Sequence, residues 1–188
     1  MERHRPRTGE EASDLARVRA ALAGDVWSRS TPLHVTGSAL IVHPASRRVL
    51  LRWHTRQQAW LQVGGHADPG ETDPLVTALR EGREETGLED LEPWSATAPI
   101  PGRDESAEPA ASGGEILHLV IVPVTANAQE PAHEHADVRY LLATDRPDAA
   151  RPEKPDAPLR WLSIEAAHAA TSKPNLRETI TRAARLLG

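Results

Sequence analysis

Residues 64–88 read GGHADPGETDPLVTALREGREETGL, and this stretch predicts a glycine-bearing loop followed by a helix. Asp73 is a favourable N-cap residue, and Pro74 suits the first helical position because its missing N–H is not needed there. Gly87 suits the position just after the last turn. The helix is therefore expected to run from Pro74 to the residue before Gly87, with the loop at residues 64–73.

The sequence on either side of this helix predicts a sheet with further helices. Leu75, Leu79 and Gly82 lie on one side of the helix, so we expect that side to pack against the sheet. Runs rich in Val, Leu and Ile predict strands at residues 34–43, 47–54, 60–63, 91–100, 116–124, 138–142 and 159–161. The first two strands form a hairpin in this interpretation, turning at residues 44–46.

Three more helices and two long loops complete the predicted order. Helices are expected from Ser13 to about Gly24, from Ser163 to Ala170, and near the end of the chain, where Asn175 and Glu178 form an approximate capping box. Residues 101–114 and 144–158 are predicted loops, and the first either closes over a substrate or is disordered. The fold class is therefore α/β, a mixed β-sheet sandwiched between α-helices.

Composition limits the kind of protein. A length of 188 residues fits one domain, which we place at residues 31–188, preceded by a tail and helix at residues 1–30. The net charge of −5 argues against a broad grip on a nucleic acid duplex. The chain has no cysteine, which excludes disulfides, thiolate metal sites and a cysteine nucleophile. No apolar run approaches the roughly 20 residues that span a bilayer, so we expect a cytoplasmic protein without membrane contact.

Three glutamates on the predicted helix could carry chemistry. Glu81, Glu84 and Glu85 have the spacing i, i+3, i+4 and share one helical face. Three carboxylates in one place repel each other and raise each other's pKa values. A divalent cation removes this repulsion, because Mg²⁺ takes oxygen ligands and can hold substrate phosphates. The alternative is an ordinary solvated helix face, which the three glutamates alone would favour.

The wider pattern resembles the signature of the Nudix (MutT/Nudix) hydrolases. Its members here are Gly65, Glu71, Arg80, Glu81, Glu84, Glu85, Gly87 and Leu88. Two features depart from the family pattern. Eight residues instead of seven separate Glu71 from Arg80, which puts the geometry of Glu71 in question, and Gly82 stands where an aliphatic residue is usual. We place the extra residue in the loop, because Asp73 and Pro74 fix the start of the helix.

The resemblance implies a mixed sheet between helices, with the signature forming a loop, a helix and a second loop. It also implies hydrolysis of a nucleoside diphosphate linked to another moiety, by water attack on a phosphoanhydride. Glu81, Glu84, Glu85 and the Gly65 carbonyl would bind Mg²⁺ or Mn²⁺. Glu71 and Arg80 would hold the loop against the helix, which makes Arg80 part of the catalytic set together with Glu81 and Glu85.

Other side chains are less firmly assigned by the sequence. The general base is either Glu81 or a distal carboxylate, for which Glu153 is chosen and Glu134 is the reserve. His66, beside Gly65, is a candidate substrate contact. Of the remaining aromatic and imidazole side chains, the sequence favours a solvated pair over a metal site for His133 and His135, because no third ligand is suitably spaced, and core packing over base stacking for Trp53 and Trp60.

Three functional interpretations remain at this point. The first is a metal-dependent pyrophosphohydrolase acting on a small nucleoside diphosphate derivative, as a monomer or as the homodimer that is common in the family it resembles. The second is a catalytically weak Nudix-fold module that binds a nucleotide or regulates another process. It is disfavoured because such modules normally lack at least one acidic ligand. The third, an isopentenyl diphosphate isomerase, is disfavoured because those isomerases use a cysteine and this chain has none.

Overall fold

The computed structural model describes residues 1, 3–94, 114–126, 128 and 130–188. Within that part of the chain, four α-helices accompany one eight-stranded sheet. In chain order the elements are α1 (Gly9–Ala21), β1 (Leu33–His43), β2 (Arg48–His54), β3 (Ala59–Leu61), β4 (Val63–His66), α2 (Pro74–Thr86), β5 (Glu92–Pro93), β6 (Ile116–Val124), β7 (His133–Ala143), β8 (Leu159–Ser163), α3 (Ile164–Ala170) and α4 (Pro174–Leu187).

Two long parallel strands, β1 and β7, form the centre of the sheet. Strand β2 returns antiparallel to the second half of β1 and also pairs with β3 and β8. Strand β4 pairs antiparallel with the first half of β1, while β5 and β6 pair with β7. The predicted hairpin is confirmed, with its turn at Pro44–Ser46.

The two faces of the sheet bury two apolar clusters. Because side chains alternate along a strand, consecutive residues of β1 face opposite sides. Ala39 and Ile41 join the cluster that contains residues of α1 and α2, whereas Leu40 and Val42 join the cluster that contains residues of α3 and α4. The predicted mixed sheet between layers of helices is thus confirmed.

Several predicted element boundaries were wrong. Helix α1 begins at Gly9, not Ser13, because the Thr8 hydroxyl accepts a hydrogen bond from the Glu11 N–H and caps the helix there. Strand β7 begins at His133, five residues before the predicted Val138. Its first residues are polar and carry no apolar pattern. The predicted strand at residues 60–63 is divided between β3 and β4, and β4 takes in the first residues of the predicted 64–73 loop.

The predicted capping box before α4 was also wrong. Lys173 occupies the N-cap position without a side-chain hydrogen bond, and Pro174 is the first helical residue. Asn175 instead accepts a hydrogen bond from Arg139, and Glu178 pairs with Arg182. Both supposed capping side chains are therefore used for tertiary contacts.

Two other predictions are tested only in part. Of the predicted strand at residues 91–100, Glu92–Pro93 is a strand, and residues 95–100 lie outside the described residues. The predicted loop at residues 101–114 also lies outside them, except Gly114. Residues 144–158 form a loop, apart from a short turn at Pro147–Ala149. In the described ranges, no helix combines the length and apolar character needed to cross a membrane.

Acidic side chains of α1 cover the outer edge of β6. Glu11 accepts a hydrogen bond from the Leu119 N–H at 3.0 Å, and Asp14 accepts one from the Ile121 N–H at 2.8 Å. Arg182 of α4 donates to the Leu117 carbonyl at 3.1 Å from the other side. The polar backbone groups of this strand are therefore satisfied by helix side chains, which protects the edge.

Glu11 and Arg182 also form an ion pair that links α1 to α4. Both Glu11 oxygens lie 2.9 Å from Arg182 Nη1, and both side chains are almost completely buried. Burial alone would raise the pKa of Glu11. Hydrogen bonds from His4, Arg7, Leu119 and Arg182 together hold that pKa well below its usual range.

Removing the charge of Glu11 should destabilise the protein strongly, because the buried Arg182 loses the carboxylate on its Nη1 and keeps Glu178, which is partly exposed, on its Nε. We expect Glu11→Gln to lower the free energy of unfolding by about 3–5 kcal/mol at pH 7 in urea titrations. Glu10→Gln, on the exposed side of the same helix, is the control and should change it by about 0.5 kcal/mol or less.

The same pair predicts a pH dependence. Because the folded pKa of Glu11 is depressed, its stabilisation is present above the unfolded value near 4.5 and is lost as the pH falls through the folded value. The difference between wild type and Glu11→Gln should therefore shrink in acid. A difference that stayed constant down to pH 3 would contradict this assignment.

Candidate active site

Helix α2 has the limits that the sequence predicted. The Asp73 carboxylate accepts a hydrogen bond from the Leu75 N–H at 2.9 Å, and Gly87 ends the helix with a φ of 67°, a left-handed conformation that favours glycine. Gly82 is buried, and a Cβ there would lie 2.9 Å from Leu91 Cδ1. A glycine at this position thus allows the helix to approach its neighbours closely.

Arg80 joins the loop before α2 to the glutamates on the helix. Its Nε donates to Glu71 at 3.0 Å, and its Nη2 donates to the His66 carbonyl at 2.8 Å. Its Nη1 lies 3.1 Å from both Glu81 Oε1 and Glu84 Oε2. The guanidinium group, whose donors are fixed in one plane, therefore sets the relative positions of four groups.

Glu71 reaches Arg80 despite the extra residue between them. The added residue lies in the segment before the Asp73 cap, so the phase of the helix is unchanged. Glu71 also accepts hydrogen bonds from the Thr77 hydroxyl at 3.0 Å and from the Asp68 N–H at 2.9 Å. The hydrogen bond from Arg80 is the main cause that lowers the pKa of Glu71 to about 2.

Glu81 lies directly against Gly65. A Cβ on Gly65 would collide with the Glu81 carboxylate, so a side chain at position 65 would displace it. Burial raises the pKa of Glu81, although Arg80 opposes this change. The packing of α2 on β4 therefore holds the Glu81 carboxylate in close contact with the Gly65 backbone.

Glu85 is the most deeply buried of the three glutamates. One oxygen accepts a hydrogen bond from the Gly64 N–H at 3.1 Å, and the other lies 3.2 Å from Arg52 Nη1. Burial nevertheless raises the pKa of Glu85 to about 7, with smaller contributions from the charges of Glu81 and Glu153. The third glutamate, Glu84, has a side chain that is 55% exposed.

The donor set of these glutamates fits a hard divalent cation. Three carboxylates share one helix face, burial raises the pKa values of two of them, and the backbone of Gly64 and Gly65 in β4 lies beside them. Oxygen-only sites of this kind suit Mg²⁺ or Mn²⁺. The sequence did not indicate Arg52, because nothing in an apolar strand marks which residue faces α2.

The structure places the two distal candidates for the base differently. The Glu153 N–H donates to the Glu85 carbonyl at 3.3 Å, so the loop that carries Glu153 runs along the end of α2. Its side chain is 41% exposed and lies 3.2 Å from Lys154. Glu134 instead pairs with Arg17 of α1 at 2.6 Å. Of the two candidates, Glu153 therefore lies on the loop beside the glutamates, whereas Glu134 is paired with α1.

A polar cavity of about 680 Å³ lies on the opposite face of β4. At its base, the Asp137 carboxylate accepts hydrogen bonds from four side chains at 2.6 to 3.2 Å: those of Thr36, Ser38, Gln62 and Arg139. Gly64 and Gly65 line the cavity too. The backbone that contacts Glu81 and Glu85 therefore also borders this cavity, which sequence reasoning did not detect.

The prediction of a solvated pair at His133 and His135 was wrong in one respect, because further histidines join them. His34 and His66 lie on neighbouring strands, and His66 Nε2 is 3.1 Å from His34 Nε2 and 3.2 Å from His135 Nε2. Burial lowers the pKa of His66 to about 3 and that of His135 to about 4. At neutral pH the imidazoles of His66 and His135 are therefore uncharged.

The two tryptophans are half-buried and contact each other. Trp53 and Trp60 are cross-strand partners whose ring centroids lie 5.5 Å apart, edge to face. The guanidinium group of Arg160 lies 4.5 Å above the Trp60 ring. In this arrangement Trp60 packs against the apolar cluster that contains residues of α3 and α4, as the prediction of core packing requires.

Several solved structures share this fold. A Nudix-family hydrolase from Clostridium perfringens is 26% identical to this chain, with a TM-score of 0.56 and coverage of 82% of this chain and 95% of that one. An Ap4A hydrolase from C. elegans has 18% identity, a TM-score of 0.57 and coverages of 81% and 96%. A dihydroneopterin triphosphate pyrophosphohydrolase from E. coli has 19% identity, a TM-score of 0.54 and coverages of 79% of this chain and 92% of that one. Among curated proteins, none matches the chain.

The sequence model of the NUDIX domain matches residues 32–183, which is most of the chain. The chain belongs to the Nudix family.

The raised pKa of Glu85 predicts that the metal-free protein loses stability as the pH rises. The folded state keeps a proton on Glu85 up to about pH 7, whereas the unfolded chain releases it near pH 4.5. The free energy of unfolding should therefore fall by about 3 kcal/mol between these values, at 1.4 kcal/mol per pKa unit. Urea titrations from pH 5 to pH 8 in a metal chelator measure this change.

A matched pair of variants isolates Glu85 in that experiment. Glu85→Gln cannot titrate, so its decline over the same pH range should be smaller by most of that amount. Glu89→Gln, at an exposed position three residues beyond the end of α2, should behave like wild type. Parallel curves for wild type and Glu85→Gln would refute the raised pKa.

Proposed function

We propose that this enzyme hydrolyses a phosphoanhydride bond of a nucleoside diphosphate linked to another moiety. In this proposal Glu81, Glu84, Glu85 and the Gly65 carbonyl hold Mg²⁺ or Mn²⁺, as Nudix hydrolases generally use divalent metals. The observation that carries it is the packing of Glu81 and Glu85 from one helix face against β4, because it gathers carboxylate oxygens, the ligands that a hard divalent cation takes.

The bound cation would supply a water of lowered pKa and neutralise charge on the phosphate oxygens. The protein's own side chains fix the geometry that this chemistry needs. Arg80 positions Glu81 and Glu84, and Glu71 in turn holds Arg80. Arg52 and the Gly64 N–H orient Glu85. Because each carboxylate has a partner that fixes it, little reorganisation is required during the reaction.

We assign the general base to Glu153, with Glu81 as the alternative. Its loop lies beside Glu85, and its charge contributes to the raised pKa of Glu85. Glu153 pairs with Lys154 where both side chains are exposed, which weakens that ion pair, whereas Glu81 is held by Arg80 in a less exposed position. The loop position also allows the side chain to move toward a bound substrate.

The cavity behind β4 is the proposed binding place for the part of the substrate beyond the reacting phosphates. Arg56 and Lys173 line it and provide positive charge for an anionic or polar ligand, while Arg139 pairs there with Asp137. Gly64 and Gly65 border both the cavity and the glutamates, so a substrate could reach from one to the other across this backbone. His66 borders the same cavity and is retained as a substrate contact.

The remaining parts of the proposal concern partners and location. The substrate is a small molecule, with no nucleic acid duplex and no membrane involved, and the enzyme acts in the cytoplasm, as a homodimer if copies associate. The domain is placed at residues 31–188, with residues 1–30 as the tail and helix before it.

A substrate panel with matched variants tests the activity. Nucleoside diphosphate sugars, ADP-ribose, Ap4A, dihydroneopterin triphosphate and (d)NTPs should be assayed for product release with Mg²⁺ and with Mn²⁺. We expect Glu85→Gln to lower kcat by at least about 10³-fold on the best substrate, because a buried ligand is lost. Glu89→Gln should keep wild-type rates.

The alternative function gives a different result in the same panel. A nucleotide-binding or regulatory module would bind one of these compounds in calorimetry without turnover by wild type. That result, with intact folding, would overturn the proposed hydrolysis.

The pH profile of a Glu153→Gln variant tests the base. If Glu153 accepts the proton, kcat should fall about 10²–10⁴-fold with KM little changed, and the acidic limb of the profile should move or vanish. Glu134→Gln serves as the control, since Glu134 pairs with Arg17. A Glu153→Gln variant with the wild-type profile would transfer the role to Glu81.

A further inference from the structure

We propose that His34, His66, His133 and His135 bind one first-row transition-metal cation of the zinc class, at a site separate from the helix glutamates. This four-histidine cluster lies on the sheet face opposite α2. The alternation along β4 shows this: a Cβ on Gly65 would meet Glu81 of α2, whereas a Cβ on Gly64 would meet Ser38 on the other face. The inference does not depend on the proposed substrate or base.

The pairing of three strands brings the cluster together. His34 of β1 and His135 of β7 are directly paired in the parallel register. His133 lies two residues before His135 and so shares its face. His66, at the end of β4, is paired with Thr36, two residues after His34. A site of this kind is invisible in a sequence read locally, because its ligands are separated by up to 101 residues.

Three of the nitrogen separations in the cluster are close to those around a single cation. Consecutive contacts of His34, His66, His135 and His133 place their Nε2 atoms 3.1 to 3.2 Å apart. Four nitrogens at about 2.0–2.1 Å from a tetrahedral Zn²⁺ would lie about 3.3 Å from one another. The ring centroids are also evenly spaced, at 4.8 to 5.2 Å in five pairs. The ligand atoms of His34, His133 and His135 all lie within 4.8 Å of one another, which is wider than the tetrahedral spacing, so binding a cation would draw these rings together.

The hydrogen bonds at the far side of two rings fix their tautomers. His34 Nδ1 lies 2.7 Å from the Thr31 carbonyl, and His133 Nδ1 lies 2.9 Å from the Pro131 carbonyl. Since a carbonyl only accepts, each Nδ1 must donate its proton there. When each ring carries that one proton, Nε2 of His34 and of His133 is left with a lone pair. Backbone carbonyls that orient a ligand histidine in this way are a regular feature of metal sites.

Hydrogen bonds alone cannot satisfy the four Nε2 atoms while His34 and His133 accept through theirs. Three Nε2-to-Nε2 contacts each need one hydrogen, but with His34 and His133 fixed as acceptors, His66 and His135 supply at most two. One contact is therefore left without a hydrogen bond inside a partly buried site, which is costly. A cation at the centre accepts all four lone pairs.

The ligand type selects the metal class. Imidazole nitrogens suit Zn²⁺, Cu²⁺ and Ni²⁺, whereas the oxygen set of Glu81, Glu84 and Glu85 suits Mg²⁺ or Mn²⁺. Four protein ligands with no open position are the arrangement of a structural zinc site. In that role the cation would tie β4 to β1 and β7, and so fix the strand that carries Gly64 and Gly65.

Cobalt and zinc binding to the untagged full-length protein tests the site. We expect one Co²⁺ per chain with the intense visible absorption of a tetrahedral ion, displaced by equimolar Zn²⁺, and a Zn²⁺-dependent rise in the midpoint of thermal unfolding. His133→Gln and His66→Gln should each weaken Zn²⁺ binding at least about tenfold. His43→Gln, a histidine bonded to Ser46 outside the cluster, is the control.

The glutamate site is separated from this result by a further variant. Glu81→Gln should leave the tetrahedral cobalt spectrum and the zinc stoichiometry unchanged, whatever its activity. Circular dichroism checks that each variant is folded, and if His66→Gln is not, His133→Gln at the first residue of β7 decides. A wild-type protein without the tetrahedral spectrum, or a folded His133→Gln that binds Zn²⁺ like wild type, would overturn the proposal.

Discussion

The contact between a helix carboxylate and a bare strand backbone is the constraint on which the site depends. Glu81 lies where a side chain on Gly65 would be, and Glu85 is held by the neighbouring Gly64 N–H and by Arg52. Gly37 serves the same approach on β1, because a Cβ there would lie 2.8 Å from the Thr77 Cβ of α2. Close packing of α2 on this part of the sheet, with glycine opposite it, thus sets the depth at which the glutamates are buried. Burial in turn raises the pKa values of Glu81 and Glu85, a perturbation that is common at functional sites.

The local features of α2 could be predicted from the sequence because they depend on neighbouring residues. Asp73, Pro74 and Gly87 act within one turn of the helix ends, and Glu81, Glu84 and Glu85 share a face through the helical period alone. The link from Glu71 to Arg80 also survived an added residue, since the loop takes up the extra length. Arg52, by contrast, lies on β2 and Glu85 on α2, so their contact depends on how the strand and the helix pack together. No sequence pattern around residue 52 indicates that contact.

The polar half of the sheet was hidden for a related reason. Prediction of strands relies on apolar residues, but the first residues of β7 are polar and face a cavity and a group of imidazoles. The predicted start of β7 at Val138 is therefore five residues later than its observed start at His133. The histidines of the cluster come from three strands, and their meeting requires the register of β1 with β7. The capping box at Asn175 failed similarly, because Arg139 and Arg182, distant in sequence or across a turn, take both side chains.

The cover that α1 places over β6 has a consequence for association between molecules. An exposed outer strand is the usual route by which two sheets join or by which chains stack into fibres. On β6 the N–H groups of Leu119 and Ile121 are occupied by Glu11 and Asp14, and Arg182 occupies the Leu117 carbonyl. A sheet that runs on into a neighbouring molecule is therefore blocked along this border, and any dimer must use another surface. Loss of the first fourteen residues to a protease would free the N–H groups of Leu119 and Ile121 at that border.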